Sequence, residues 1–245
     1  MGTAVMALAR SRRHKVVASF NSRNPLDTGD TADILGGADV VIDFSLPSVV
    51  KAHLHAYCIW RQPAVVGTTG WADSADEIKR LARECQASLL CAPNFSLGIQ
   101  LVLGAINSLG PLLNALSEYD VALSESHHTD KKDRPSGTAL QLAHALLAHL
   151  DRKSMIAPAT GSVGRDALEV ASLRLGRIFG EHTIVIDSLF DQISITHTAK
   201  NRTGFALGAL KAAEWLPGHT GFFTLEDALA DWLRSSGAAR QPFVQ

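Results

Sequence analysis

Asp39-Val-Val-Ile-Asp-Phe44, a helical pattern from Ser48 to Arg61, and Ala64-Val-Val66 follow one another within thirty residues. The two outer runs are almost wholly apolar and do not alternate with polar residues. Strands of that kind are covered on both faces, and they belong to parallel sheets joined by crossover helices. The middle run carries its apolar residues at helical spacing. The stretch therefore reads strand, helix, parallel strand.

Working outward, a further helix is expected near Asp73, where Ser74 and Glu77 stand at capping-box spacing. Ser88 to Cys91 is another apolar strand. On the N-terminal side, Val16 to Phe20 reads as a strand preceded by a surface helix with a basic end. The first hundred residues thus predict a doubly wound, Rossmann-like α/β sheet.

The pattern then changes. Gly98 to Leu116 is a long helical stretch bent at Pro111, Tyr119 to Glu125 a strand, and Thr138 to Leu150 a helix. Leu168 to Leu175, His182 to Asp187 and Gln192 to His197 are closely spaced strands. They predict a mixed or antiparallel sheet with one open face, a surface suited to oligomerisation. Two helices close the chain, Thr203 to Leu216 and Leu225 to Leu233, the second with Thr224 and Asp227 at capping spacing. The expected division is 1–96 with 205–245 as one domain and 97–204 as a second, α+β domain.

The 245 residues are 46% hydrophobic, enough for one large or two modest cores. A formal net charge of -1 gives no global field to attract nucleic acid or an anionic membrane. Cys58, Cys85 and Cys91 are odd in number and form no CxxC pair, which favours free thiols in a reducing compartment such as the cytoplasm. No apolar run is expected to span a bilayer. From Met1 to Leu26 the chain is basic without an acidic residue, as in a transit peptide, but a surface helix is the preferred reading. A dinucleotide-binding domain opens with a strand and a glycine-rich turn, whereas this chain starts on a helix and has no GxGxxG. The start codon is therefore expected to lie downstream of the natural one.

The chemistry concentrates in Glu125-Ser-His-His-Thr-Asp-Lys-Lys-Asp-Arg-Pro-Ser-Gly-Thr138. Two histidines, two lysines and an arginine crowd a strand end, and Ser-Gly-Thr opens a helix. Lys131 offers a compact cation for a carboxylate. The backbone N–H groups of Gly137 and Thr138 offer a second anion cradle, aided by the helix dipole. His127 or His128 could deliver a proton near neutrality. Read one residue at a time, this is an ordinary charged loop; taken together the groups suit a dianionic substrate. Zinc is the weaker alternative, because adjacent histidines lack a third ligand at suitable spacing, and no metal is expected.

This segment resembles the signature E-x-H-H-x-x-K-x-D-x-P-S-G-T-A of the dihydrodipicolinate reductase family, matched from Glu125 to Ala139. Val-Ile-Asp-Phe-Ser (41–45), Gly-Thr-Thr-Gly (67–70), Pro-Asn-Phe-Ser-Leu-Gly (93–98) and Gly-Glu-His-Thr (180–183) resemble family segments in the same order. So do Ile195-Thr196-His197, Asn201-Arg202 and the helix of Phe205. The resemblance implies hydride transfer from NADPH or NADH to a doubly carboxylated cyclic imine in lysine and diaminopimelate biosynthesis, by a cytoplasmic homotetramer. It makes His127 the proton donor and places His128 on the substrate. It assigns Lys131 to one carboxylate, and Gly137 with Thr138 to the other. Met1, Gly67, Thr68, Thr69, Ala92, Pro93, Asn94 and Phe95 become cofactor contacts. Phe20-Asn21-Ser22-Arg23 supplies no carboxylate for the ribose of NAD, so Arg23 is expected to face the 2′-phosphate of NADPH. Two other readings remain open: a cofactor-deficient binding or structural homologue, and a reductase of another imine or keto acid.

Overall fold

The structure, a computed structural model, describes residues 1–28, 32–157 and 163–235. In chain order the elements are α1 (Gly2–Ser11), β1 (Val41–Asp43), α2 (Pro47–Ile59), β2 (Ala64–Val66), α3 (Ala75–Cys85), β3 (Ser88–Cys91), α4 (Leu97–Ala115), β4 (Asp120–His127) and α5 (Gly137–Leu147). Then come β5 (Met155–Ile156), β6 (Ala167–Arg174), β7 (Glu181–Asp187), β8 (Gln192–Thr198), α6 (Thr203–Trp215), β9 (Gly221–Phe223) and α7 (Leu225–Ser235). They form two compact units, Met1–Phe95 with Phe205–Gln245, and Ser96–Gly204.

In the first unit β1-β2-β3-β9 lie in that order, every neighbour parallel. Alternate strand residues serve opposite faces, as a pleat requires. Ala64, Val66 and Leu89 pack against Val50, Leu54 and Tyr57 of α2 and Ile78 and Ala82 of α3. Val65 and Leu90 pack against Ala209, Ala212 and Leu216 of α6 and Leu225 and Ala228 of α7. Each large aliphatic side chain so buried contributes about 1.5–3 kcal/mol. Helices on both faces are the doubly wound arrangement.

Four local expectations need correcting. Residues 14–20 take no regular structure: among the described residues no strand lies on the outer side of β1, so Val16 to Phe20 have no ladder to join. Ser74 precedes α3 without a side-chain cap, whereas Thr224 and Asp227 do bond reciprocally, Asp227 N–H to Thr224 Oγ1 at 3.3 Å and Thr224 N–H to Asp227 Oδ2 at 2.8 Å. Strand β9 is not among the strands the sequence predicts: it opens on Gly221, and only Phe222 and Phe223 follow before the Thr224 turn into α7. Lastly, α4 is 19 residues long with mean hydropathy 1.3, long and apolar enough by itself to cross a membrane. In this fold its Ile99, Ile106 and Leu113 instead enter the core of the second unit.

That core lies on one face of a mixed sheet, β5-β6-β4-β7-β8, where β4 runs parallel to β6 and antiparallel to β7. Val121 and Leu123 of β4, Leu168 of β6, and Ile184 and Ile186 of β7 meet α4 and α5 there. Leu173, Leu175 and Ile193 are exposed.

Candidate active site

The face of the second sheet that holds the apolar core turns polar at one end. In β4 the buried positions run Val121, Leu123, Glu125, His127. Period-two alternation puts all four on one side, so Glu125 and His127 continue the core face. Register supplies their neighbours: Glu125 stands opposite Ser172 of β6 and His182 of β7, and His182 opposite His197 of β8. A row Ser172–Glu125–His182–His197 thus crosses four strands, with His127 and Arg174 paired one step further on.

Glu125 is 1% exposed. Its Oε1 accepts from the Ser136 N–H at 3.0 Å, the Ser172 hydroxyl at 2.8 Å and the Arg174 guanidinium at 3.0 Å. Burial works to raise this carboxyl, but those bonds outweigh it and hold its pKa at about 2. Its Oε2 lies 3.3 Å from His127 Nδ1 and 3.7 Å from His182 Nε2. Both are ion-pair distances, yet neither contact is aligned as a hydrogen bond, and Oε2 and His127 Nδ1 are buried without partners. The two imidazoles meet edge to face, centroids 5.1 Å apart. Burial pushes His127 below the ordinary histidine pKa, with Glu125 opposing. Burial, with the neighbouring His127, takes His182 down to about 4.

Beyond His127 the chain leaves the sheet. Arg174 fastens this loop, donating to the Lys131 carbonyl at 3.2 Å and also to the Asp133 carbonyl. Lys131 Nζ lies 2.8 Å from Asp133 Oδ1. Burial works against the Asp133 charge, but Lys131 and the Gly137 N–H outweigh it and keep the carboxyl below its ordinary range. Ser136 caps α5, its hydroxyl accepting from the Ala139 N–H at 3.2 Å. Gly137 is exposed, and an added Cβ would meet nothing within 4 Å. Thr138 and His128 are half-buried. The loop therefore gathers His127, Lys131, Gly137 and the start of α5 as the sequence predicts. Glu125, Ser172, Arg174 and His182 were given no role there.

Glu125, His127 and His182 also bring three ligand atoms within 4.8 Å of one another, a spacing that suits a metal. The missing partners come from Glu125 and from β7, and His128 is not among them. Arg174, 3.0 Å from the same carboxylate, puts a positive charge beside any cation there. The group accordingly reads as an acid–base network.

In the first unit the expected cofactor residues follow parallel strands at their C-terminal ends, where such sheets bind ligands. Gly67 to Thr69 follow β2 and Ala92 to Phe95 follow β3. Asp43, 6% exposed, pins the end of β1: it accepts from the Ser45 N–H at 2.7 Å and the Tyr57 hydroxyl at 2.9 Å, with His53 Nδ1 at 2.8 Å. Burial opposes its charge, but bonds from His53 and Ser45 prevail and lower its pKa. His53 is thus a satisfied core partner. Thr68 Oγ1 donates to the Ser45 carbonyl at 3.0 Å, and the Ser45 hydroxyl is buried without a partner. A Cβ on Gly67 would sit 2.1 Å from the Phe44 ring, so only glycine fits. Met1 is the N-cap of α1. Arg23 is exposed in a turn between Asn21 and Asn24, not at a strand end.

Residues 1–95 match the family described as dihydrodipicolinate reductase, N-terminus, and residues 98–229 the one described as dihydrodipicolinate reductase, C-terminus. The 4-hydroxy-tetrahydrodipicolinate reductase of Christiangramia forsetii is 34% identical over 235 residues, 96% of this chain and 96% of that relative. That of Natronomonas pharaonis is 34% identical over 242 residues, 93% and 95% of the two chains. Among solved structures, the dipicolinate-bound dihydrodipicolinate reductase from Paenisporosarcina sp. TG-14 is similar in fold. Its TM-score is 0.68 at 21% identity, over 84% of this chain and 80% of that one.

Proposed function

The chain belongs to the dihydrodipicolinate reductase family, and on that premise we propose that it is an NAD(P)H-dependent 4-hydroxy-tetrahydrodipicolinate reductase of lysine and diaminopimelate biosynthesis. The observation that carries this reading is the strand-to-helix loop, which gathers an imidazole, an ammonium and a helix N-terminus around a position able to take a dicarboxylate. A carboxylate already fits there: that of Asp133 engages both Lys131 and the Gly137 N–H.

His127 is the general acid. Reduction places electron density on the ring, and a proton delivered by a positioned imidazole relieves it as it develops. Lys131 binds one carboxylate and polarises the ring, Gly137 and Thr138 hold the other, and His128 contacts the substrate. A bound dianion favours the imidazolium, so the acid gains its proton as the substrate arrives.

NADPH or NADH supplies the hydride when bound. The buried, partnerless Ser45 hydroxyl at the end of β1, beside Thr68, fits a polar ligand along that edge. Gly67, Thr68, Thr69, Ala92, Pro93, Asn94 and Phe95 would hold it. Met1 at the start of α1 and Arg23, toward a 2′-phosphate, complete the set. In this scheme the unit of residues 1–95 and 205–245 binds the dinucleotide, and that of residues 96–204 binds substrate and oligomerises.

A cytoplasmic homotetramer is part of the same reading. Leu173 at 60%, Leu175 at 63% and Phe190 at 81% exposure support an interface on the second unit's sheet. The free thiols of Cys58, Cys85 and Cys91 support a reducing compartment. Initial rates with the cyclic dicarboxylate and each nucleotide test the function. Saturable oxidation of NADPH or NADH is expected, and His127→Gln should lower kcat about 10²–10⁴-fold with little change in KM. A chain that binds neither nucleotide would overturn the reading.

A further inference from the structure

We infer that Glu125 is the positioning carboxylate of His127, holding Nδ1 so that Nε2 carries the deliverable proton, while Arg174 balances its charge and pins the loop of Lys131. This rests on the reading of His127 as the proton donor.

Two buried atoms carry the inference. Glu125 Oε2 and His127 Nδ1 each lack a hydrogen-bond partner, and they lie 3.3 Å apart. Buried polar atoms left unsatisfied are rare and costly. These two are complementary, since a proton on Nδ1 serves both. The other oxygen of Glu125 is saturated by Ser136, Ser172 and Arg174, which fixes the carboxylate plane and leaves Oε2 for the imidazoles. At the opposite side of the ring Gly180 has no side chain, and a Cβ there would lie 3.0 Å from Nε2. The ring thus faces a carboxylate at one nitrogen and a glycine at the other.

The same carboxylate also faces His182, so the structure must decide which imidazole takes the charge. His182 lies deeper among like-signed neighbours, and its Nε2 is 3.3 Å from the Ser136 hydroxyl. It stays neutral, and His127 is the imidazole that takes the charge when the pair gains a proton. The groups facing His127 are then Glu125 on its own strand, Lys131 and Asp133 on the loop, Arg174 on β6 and His182 on β7. Of the two carboxylates among them, Glu125 makes the larger contribution toward the imidazolium and Asp133 the smaller. When Nε2 gives its proton to the substrate, the ring becomes neutral, keeps its Nδ1 proton toward Glu125, and Glu125 remains a carboxylate throughout.

The test compares Glu125→Gln, Glu125→Asp, His127→Gln and the Glu125/His127 double variant across pH. With Glu125→Gln the alkaline limb of kcat/KM should move down by about one unit or more, and kcat at neutral pH should fall about tenfold or more while KM changes little. Glu125→Asp should restore part of both. In the His127→Gln background the second substitution should cost nothing further. An unmoved limb, or additive losses, overturns the inference. A His127→Gln enzyme with full turnover overturns the proton-donor reading instead. Should Glu125→Gln fail to fold, nitrogen-15 spectra of the wild-type imidazoles decide. An Nδ1-protonated neutral His127 is expected, and the Nε2-protonated tautomer refutes the positioning role.

Discussion

Gly208 lies in the middle of α6, and a Cβ built on it would sit 1.9 Å from the Phe95 carbonyl oxygen and 2.9 Å from its carbon. Ordinary contact is about 3.5 Å, so Gly208→Ala requires backbone to move by more than an ångström at the residue that ends the Ala92–Phe95 segment. Without that neighbour, Ala for Gly inside a helix stabilises by about 1 kcal/mol. Overpacking costs about 1–3 kcal/mol, so the net expectation is a loss of up to about 2 kcal/mol. For a chain of this size that is a Tm drop of up to about 4–8 °C. Gly104 in α4 is the control, since its Cβ would meet nothing within 4 Å; Gly104→Ala should raise Tm. Calorimetry of both variants, with NADPH titration of each, makes the comparison. Gly208→Ala should also weaken NADPH binding, because Asn94 and Phe95 move with the carbonyl, whereas Gly104→Ala should not. If the two substitutions shift Tm in the same upward direction, the close approach of α6 to Phe95 is wrong.

His182 gives stability a pH dependence. The unfolded chain takes its proton below about pH 6.5 and the folded chain only near 4, so stability falls as pH drops through that window, by up to about 3 kcal/mol. His182→Gln should flatten the slope of denaturation free energy against pH there, leaving what His127 and His197 contribute; identical slopes would refute it. Lys131→Met removes a charged partner for the substrate carboxylate, worth about 1.5–3 kcal/mol, so kcat/KM should fall about 10–150-fold, and an unchanged value rejects the role. Phe190, 81% exposed between β7 and β8, should be buried in an assembly. Phe190→Asp should lower the mass seen by light scattering, and an assembly of unchanged mass would place the interface elsewhere.

Much of the fold was legible in local pattern. Apolar β1, β2 and β3 announced a parallel sheet because strands buried on both faces cannot alternate. The family was legible in the run from Glu125 to Ala139. The strand expected at Val16 to Phe20 was not formed, because β-propensity describes a surface that fits a sheet and cannot provide the neighbouring strand. Helix α4 shows the same limit: its apolar length alone suits a lipid environment as well as a protein core. Within the site, the loop residues could be read directly since they are contiguous. One signal for Glu125 was present and unread, namely its place in the series Val121, Leu123, Glu125, His127, where a carboxylate continues a buried face.

The sequence by itself determined which residues face inward along each strand, where helices open, and which loop holds the cations and the acid. Those properties depend on neighbours a few positions away. Tertiary structure alone decided that Ser172, Arg174 and His182, 47 to 57 residues along the chain from Glu125, close around its one carboxylate. Strand order β6-β4-β7-β8 departs from chain order, and register across it is set by packing of the whole sheet against α4 and α5. Periodicity states the face a residue occupies; only the assembled sheet states what stands beside it.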